Sequence, residues 1–322
     1  MFFNPKTGTM FYDLAILDSV RLNFSPAGLT FMNITLAIIM FGIALDLKFK
    51  QFKHVFTKPK SLIVGVISQF LLLPALTFLL VLLIQPSPAV AFGMILVASC
   101  PGGNISNFMS HNAKANTALS ISLTAIATTA ALFMTPLNFK IWGNLYIKSS
   151  PMGRAIEIDA GQMFITVFIL LGIPLILGIL FSNYFPKITS KIVKPFRIFS
   201  FVAFLGFVAA AFASNFDHFL NYIPPIFLIV LIHNALALLT GFSFASIFKR
   251  PAADRRAITI ETGIQNSGLG LILIFNPKIF PPELELGGMA FIAAWWGVWH
   301  ILSGLTISSL WARRKIPVEK QI

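Results

Sequence analysis

Nine stretches of the chain stay apolar for about the 20 residues that a helix needs to cross a bilayer core, with polar or basic segments between them. They lie near Ala27–Leu47, Ser61–Ile84, Ala89–His111, Asn116–Gly143, Gly161–Tyr184, Val193–Asn215, Pro225–Phe248, Arg256–Phe275 and Gly288–Trp311. Pro74, Pro136 and Pro174 fall inside these runs and should kink the helices without ending them, since neighbouring helices can satisfy the freed carbonyls.

Composition supports the same class. Of 322 residues, 57% are hydrophobic and 11% charged, where a soluble domain carries about 25% charged residues. A net charge of +13 would suggest nucleic acid in a soluble protein; here it reflects basic residues gathered on one side of a membrane, and no nucleic-acid partner is expected. One set of alternate loops holds Lys48, Lys50, Lys53, Lys58, Lys60, Lys114, Lys187, Lys191, Lys194, Arg197, Lys249, Arg250, Arg255, Arg256, Arg313, Arg314, Lys315 and Lys320, 18 in all. The other holds five: Lys6, Arg21, Lys148, Arg154 and Lys278. The bias predicts a multi-pass protein of an inner or plasma membrane, N-terminus outside and C-terminus cytoplasmic. Cys100 is the single cysteine, so no internal disulfide can form. Residues 1–26 carry Lys6, Asp13, Asp18 and Arg21 without a continuous apolar core, and are expected to be an extracytoplasmic segment instead of a signal peptide or a span.

Two polar stretches interrupt the apolar pattern. Glu261-Thr262-Gly263-Ile264-Gln265-Asn266-Ser267-Gly268 sits within one run, and an ionisable residue inside a span is by default functional. Cys100-Pro101-Gly102-Gly103-Asn104-Ile105-Ser106-Asn107 sits within another. Pro-Gly-Gly cannot continue a regular helix well, so each stretch should split its span into two half-helices. Backbone amides freed after Pro101-Gly102-Gly103 would face a cavity, with the positive end of a half-helix behind them. Ser120 and Thr124, at i and i+4, share one face of the next helix, and Gln69 is a further amide within a span.

Each broken span is followed by one long span, which implies an internal repeat. The first repeat covers residues 27–143 with its break at 101–107, a linker covers 144–160, the second repeat covers 161–312 with its break at 261–268, and 313–322 form a cytoplasmic tail. Four spans against five give the halves opposite orientations, an inverted-repeat transporter fold in an all-α polytopic protein.

The chain resembles the bile acid:sodium symporter family in Cys100-Pro-Gly-Gly with Ser106-Asn107, in Glu261-x-Gly-x-Gln265-Asn266-Ser267-Gly268, and in His233-Asn234. Phe41-Gly-Ile-Ala-Leu and Pro59-Lys60 fit as well, and the resemblance runs over roughly residues 33 to 312. It implies a core domain in which two discontinuous helices cross, a panel domain packed against it, and two sodium ions behind the crossing. The first sodium site would use Ser106, Asn107, Ser120, Thr124 and Glu261; the second would use Gln69, Glu261 and Gln265 with the carbonyls of Thr262 and Ile264. Oxygen-only ligands suit such a hard cation. An organic anion would bind between core and panel, near Gly103, Asn104 and Asn266, with His300 close by. No cofactor is implied beyond the two coupling ions. The family's ten-helix bacterial members have a first helix that is absent here, so the chain resembles a nine-helix form. Asn104 stands where several relatives have threonine, and Ile301 where some have asparagine; both changes bear on the organic substrate.

Three functions follow for comparison: a sodium-coupled symporter of a bile acid or small carboxylate, a proton-coupled exporter or exchanger working through Glu261, and an intramembrane hydrolase using Ser303-Gly304 with His300. The last lacks a third orienting group. His233 and His300 are open to a packing role as well as to a substrate contact.

Overall fold

Prolines open four of the helices, at Pro26, Pro59, Pro88 and Pro186. The proline ring presets φ for the first turn, where the missing N–H has no intrahelical partner to lose. The computed structural model describes residues 15–18, 26–46, 59–150, 159–213, 216–281 and 284–314. Most of the predicted N-terminal segment, residues 151–158 of the linker and 315–322 of the tail lie outside these residues. So do Lys6, Arg21, Lys48, Lys50, Lys53, Lys58, Arg154, Lys315 and Lys320.

In chain order the helices are α1 (Ala15–Asp18), α2 (Pro26–Asp46), α3 (Pro59–Ile84), α4 (Pro88–Ser99), α5 (Ile105–Asn112) and α6 (Thr117–Ser149). They continue as α7 (Ala160–Tyr184), α8 (Pro186–Ala213), α9 (Phe216–Ile247), α10 (Ala252–Gly263), α11 (Ser267–Ile274) and α12 (Gly287–Ala312). Among the described residues the chain is all-helical, and helix occupies each predicted apolar stretch. Among the described residues, five segments are long and apolar enough to cross a membrane: α3, α6, α7, residues Ile226–Ile247 of α9, and α12. The two predicted breaks fall between α4 and α5 and between α10 and α11.

The prolines within spans do not end their helices. α3 passes through a π-helical turn at Ser68–Leu72 just before Pro74, and α7 through another at Phe168–Gly172 just before Pro174. Pro74 cannot donate to the carbonyl four residues back, Phe70, and Asn138 Nδ2 from α6 donates to that oxygen at 2.9 Å. α6 itself runs through Pro136 and on to Ser149, past the predicted end at Gly143. The added turns are held by aromatic packing: Tyr146 meets Phe92 edge-on at 5.5 Å.

α2 packs chiefly along α7 and α8, while α3–α6 and α9–α12 pack among themselves. Small residues permit the closest crossings. A Cβ on Gly93 of α4 would stand 2.8 Å from the Met289 Cα of α12. The two ends of the second group are tied by polar contacts that no hydropathy pattern reveals. At one end Asp18 accepts from Ser87 Oγ at 2.7 Å and from the Ala89 amide at 3.3 Å, capping α4. At the other, Arg256, counted above among loop residues, is buried; it donates to the carbonyls of Ala113, Trp311 and Arg314 and lies over the Trp311 ring. Those carbonyls lie at or just past the ends of α5 and α12, so the guanidinium adds a charged donor at two helix C-termini.

Candidate functional site

The two helix breaks lie against each other. Gly102 and Gln265 form an antiparallel bridge, the Gly103 amide donates to Ile264 O at 2.7 Å, and the Asn266 amide donates to Pro101 O at 2.8 Å. Backbone groups released from one broken helix thus pair with those released from the other, as buried polar backbone must. The Gly103 amide is committed to this pairing. Asn234 of α9 donates to Gly263 O at 2.7 Å and so satisfies the end of α10; Ser303 Oγ donates to Asn234 Oδ1 at 2.6 Å.

Beside this pairing is a buried oxygen cluster drawn from α5, α6 and α10. Glu261 Oε2 accepts from Ser106 Oγ at 2.6 Å and from Ser120 Oγ at 3.4 Å, and Oε1 accepts from Thr124 Oγ1 at 2.8 Å. Asn107 Oδ1 lies 2.9 Å from Ser120 Oγ and 3.2 Å from Thr124 Oγ1. Thr124 Oγ1 is also 3.0 Å from Ser120 O and 3.4 Å from Ser106 Oγ. Seven close O···O separations therefore share the three protons of Ser106, Ser120 and Thr124. Among the described residues, the hydrogen bonds that Glu261 accepts come from neutral hydroxyls, while the residue is only 2% exposed. An ionised carboxylate buried without a countercharge costs several kcal/mol. A cluster with more oxygen lone pairs than protons, focused on such a carboxylate, fits a hard cation.

A second polar group adjoins it. Gln69, in the π-helical turn of α3, donates through Nε2 to Cys100 O at 3.0 Å and to Gln265 Oε1 at 2.8 Å, and Gln265 Nε2 donates to Thr262 O at 2.7 Å. Gln69 Oε1 is buried without a donor among the described residues. The sequence-predicted residues Gln69, Thr262, Ile264 and Gln265 are thus brought to one place, although the Ile264 carbonyl already accepts from Gly103.

The predicted organic-substrate residues are less tightly grouped. Asn104 and Asn266 head α5 and α11, and Asn266 Oδ1 caps its helix by accepting from the Leu269 amide at 3.1 Å. His300 is buried in α12, and no described hydrogen bond joins its ring to either asparagine. Ser303 Oγ is engaged by Asn234 Oδ1 and by the backbone oxygen of His300, not by its imidazole, so no serine–histidine nucleophile pair is assembled. His233, the residue before Asn234, meets Thr77 Oγ1 at 2.8 Å and packs edge-on against Trp296 at 4.7 Å. A cavity of about 290 Å³ opens between α2, α7 and the end of α11, lined by Asn33, Gln162, Thr166, Ile272, Asn276 and Lys278 among others.

Asn234 and Asn138 were not singled out as ligands above. Each is a carboxamide inside an apolar stretch, and Asn234 also belongs to the His233-Asn234 motif that carries the family resemblance.

Residues 33–222 match the model of the Sodium Bile acid symporter family. The chain is 34% identical over 288 residues to the sodium-dependent transporter YocS of Bacillus subtilis (strain 168), covering 88% of this chain and 84% of that protein. It is 27% identical over 302 residues to the probable sodium/metabolite cotransporter BASS2, chloroplastic, of Oryza sativa subsp. japonica, covering 89% and 70%. Against the P3 protein of Homo sapiens it is 27% identical over 263 residues, covering 81% and 54%. With paired helix breaks, a membrane-type helical fold and a match across more than half its length, the chain belongs to the sodium bile acid symporter family.

Proposed function

We propose that the protein is a sodium-coupled symporter that carries a small organic anion across the membrane by alternating access. The observation that carries this reading is the buried oxygen cluster on Glu261, where seven close oxygen contacts share three protons around a carboxylate with no basic partner among the described residues. One sodium ion is held by Ser106, Asn107, Ser120, Thr124 and Glu261. A second is held by Gln69, Gln265 and Glu261 with the carbonyls of Thr262 and Ile264, where the unpaired Gln69 Oε1 supplies an available ligand. The relatives' names as sodium-dependent transporters and sodium/metabolite cotransporters agree with this coupling.

In this reading the two breaks cross near the bilayer midplane within a core, α2, α7 and α8 form a panel, and an inverted repeat of nine spans underlies both. The N-terminus faces outward and the C-terminus the cytoplasm. Sodium draws α5, α6 and α10 together and so favours the arrangement that accepts the anion; rocking of core against panel then exposes the site to either side. The anion meets the carboxamides of Asn104 and Asn266 and the positive ends of α5 and α11, with Gly103 shaping the break and His300 lining the approach.

Proton coupling through Glu261 is the competing reading. Uptake of labelled small carboxylates into proteoliposomes separates the two: an inward sodium gradient at uniform pH should drive accumulation. Accumulation driven by a pH gradient in sodium-free buffer would replace the sodium reading with the proton one.

A further inference from the structure

α8 begins seven residues before the predicted apolar stretch, and its first two turns are basic. Lys187, Lys191 and Lys194 are exposed and fall at i, i+4 and i+7, which places them on one helical face. Ile198 and Val202 continue the same face at i+11 and i+15, and they are 57% and 60% exposed. The exposed stripe therefore changes from ammonium to hydrocarbon between Lys194 and Ile198, about 6 Å along the axis. Just before the stripe, Tyr184 and Phe185 are 76% and 51% exposed, and aromatic side chains of this kind favour the headgroup level of a bilayer. Among the described residues no ion pair engages any of the three ammonium groups.

Such a face fits a boundary between lipid headgroups and acyl chains. We infer that Lys187, Lys191 and Lys194 of α8 form a binding site for the phosphate headgroups of anionic phospholipids in the cytoplasmic leaflet. The lysine stems lie along the acyl region and their ammonium groups donate to phosphate oxygens. The phosphate of a zwitterionic lipid is offset by the lipid's own cation, so the site favours lipids of net negative charge. Because α8 packs along α2 and α7, a bound headgroup anchors that three-helix group to the membrane surface. This inference goes beyond the transport reading and does not depend on which ion drives it.

The test compares wild type with K187Q/K191Q/K194Q and with a control, K60Q/K114Q/K249Q, which removes the same charge from exposed positions at the ends of other helices. Native mass spectrometry counts phosphatidylglycerol retained by each protein after purification from mixed phosphatidylglycerol–phosphatidylcholine vesicles. Melting is followed in nanodiscs of phosphatidylcholine with and without phosphatidylglycerol. Wild type and control should retain phosphatidylglycerol and melt at higher temperature with it. The α8 triple variant should retain roughly tenfold less and lose the shift, while melting as wild type does in phosphatidylcholine alone. If the triple variant does not fold, the single variants carry the test through graded losses. Equal retention by the α8 variants and wild type would overturn the inference. So would an equal loss in the control, or the same thermal shift from inorganic phosphate in phosphatidylcholine nanodiscs.

Discussion

The Glu261 carboxylate lies directly against Gly102, so that a Cβ at residue 102 would run into Glu261 Oε1. The break in one helix thus leaves the space in which the acidic residue of the other is seated. Gly102 also pairs with Gln265 through the backbone, so carboxylate and bridge are fixed by the same residue.

Gly102→Ala should therefore act on the cation site and not only on stability. Overpacking of this kind costs about 1–3 kcal/mol, and the displaced Glu261 should lose most of its sodium-induced stabilisation. Gly270→Ala is the companion test, because a Cβ there would meet Cys100 Sγ at 3.8 Å and Ala293 Cβ at 3.9 Å, both ordinary contacts. Thermal shift with sodium against potassium should be much reduced in Gly102→Ala and retained in Gly270→Ala. A full sodium response in Gly102→Ala would mean that the Gly102–Glu261 fit does not matter for the ion.

The bond from Asn138 to Phe70 O compensates for Pro74, which predicts coupling between residues 64 positions apart in the chain. Asn138→Ala leaves a buried carbonyl without its donor and should destabilise the protein by about 1–3 kcal/mol. In a Pro74→Ala background a backbone N–H becomes available to the same carbonyl, so the cost of Asn138→Ala should fall by about half or more. A double-mutant cycle on melting in one detergent measures this. Additive effects would show that the two residues act separately.

Lys278 is exposed at the edge of the cavity between α2, α7 and α11, beside Asn33 and Gln162. A cation at the approach to an anion site raises the encounter rate in a salt-dependent way. Lys278→Gln should raise KM for an organic anion severalfold at low ionic strength, with little change in maximal rate. The difference should shrink in high salt. Identical KM and salt dependence in variant and wild type would remove Lys278 from the anion's path.

The helices and the two breaks were legible because each carries a local signal. An apolar run of bilayer length predicts a helix, and Pro101-Gly102-Gly103 or Glu261 within such a run stands out against it. Ser120 and Thr124 were readable as one helical face, and only the family resemblance made them candidate ligands. What escaped the sequence was pairing across the fold. Nothing local says that Asn138 serves Phe70, that Asn234 serves Gly263, or that the Gly103 amide is taken by Ile264. Arg256 reads as a loop cation because composition cannot see the helix-end carbonyls of Ala113 and Trp311 that bury it.

The central claim is that Glu261 and its hydroxyl partners hold sodium, and equilibrium binding of radiolabelled sodium to the purified protein tests it most directly. Wild type should bind sodium saturably, displaced by unlabelled sodium and not by potassium. Thr124→Val, which removes one oxygen ligand and leaves the helix intact, should need a roughly tenfold higher sodium concentration, equivalent to about 1.4 kcal/mol. Glu261→Ala should abolish saturable binding while the protein remains folded. Undiminished saturable sodium binding in folded Glu261→Ala would contradict the account.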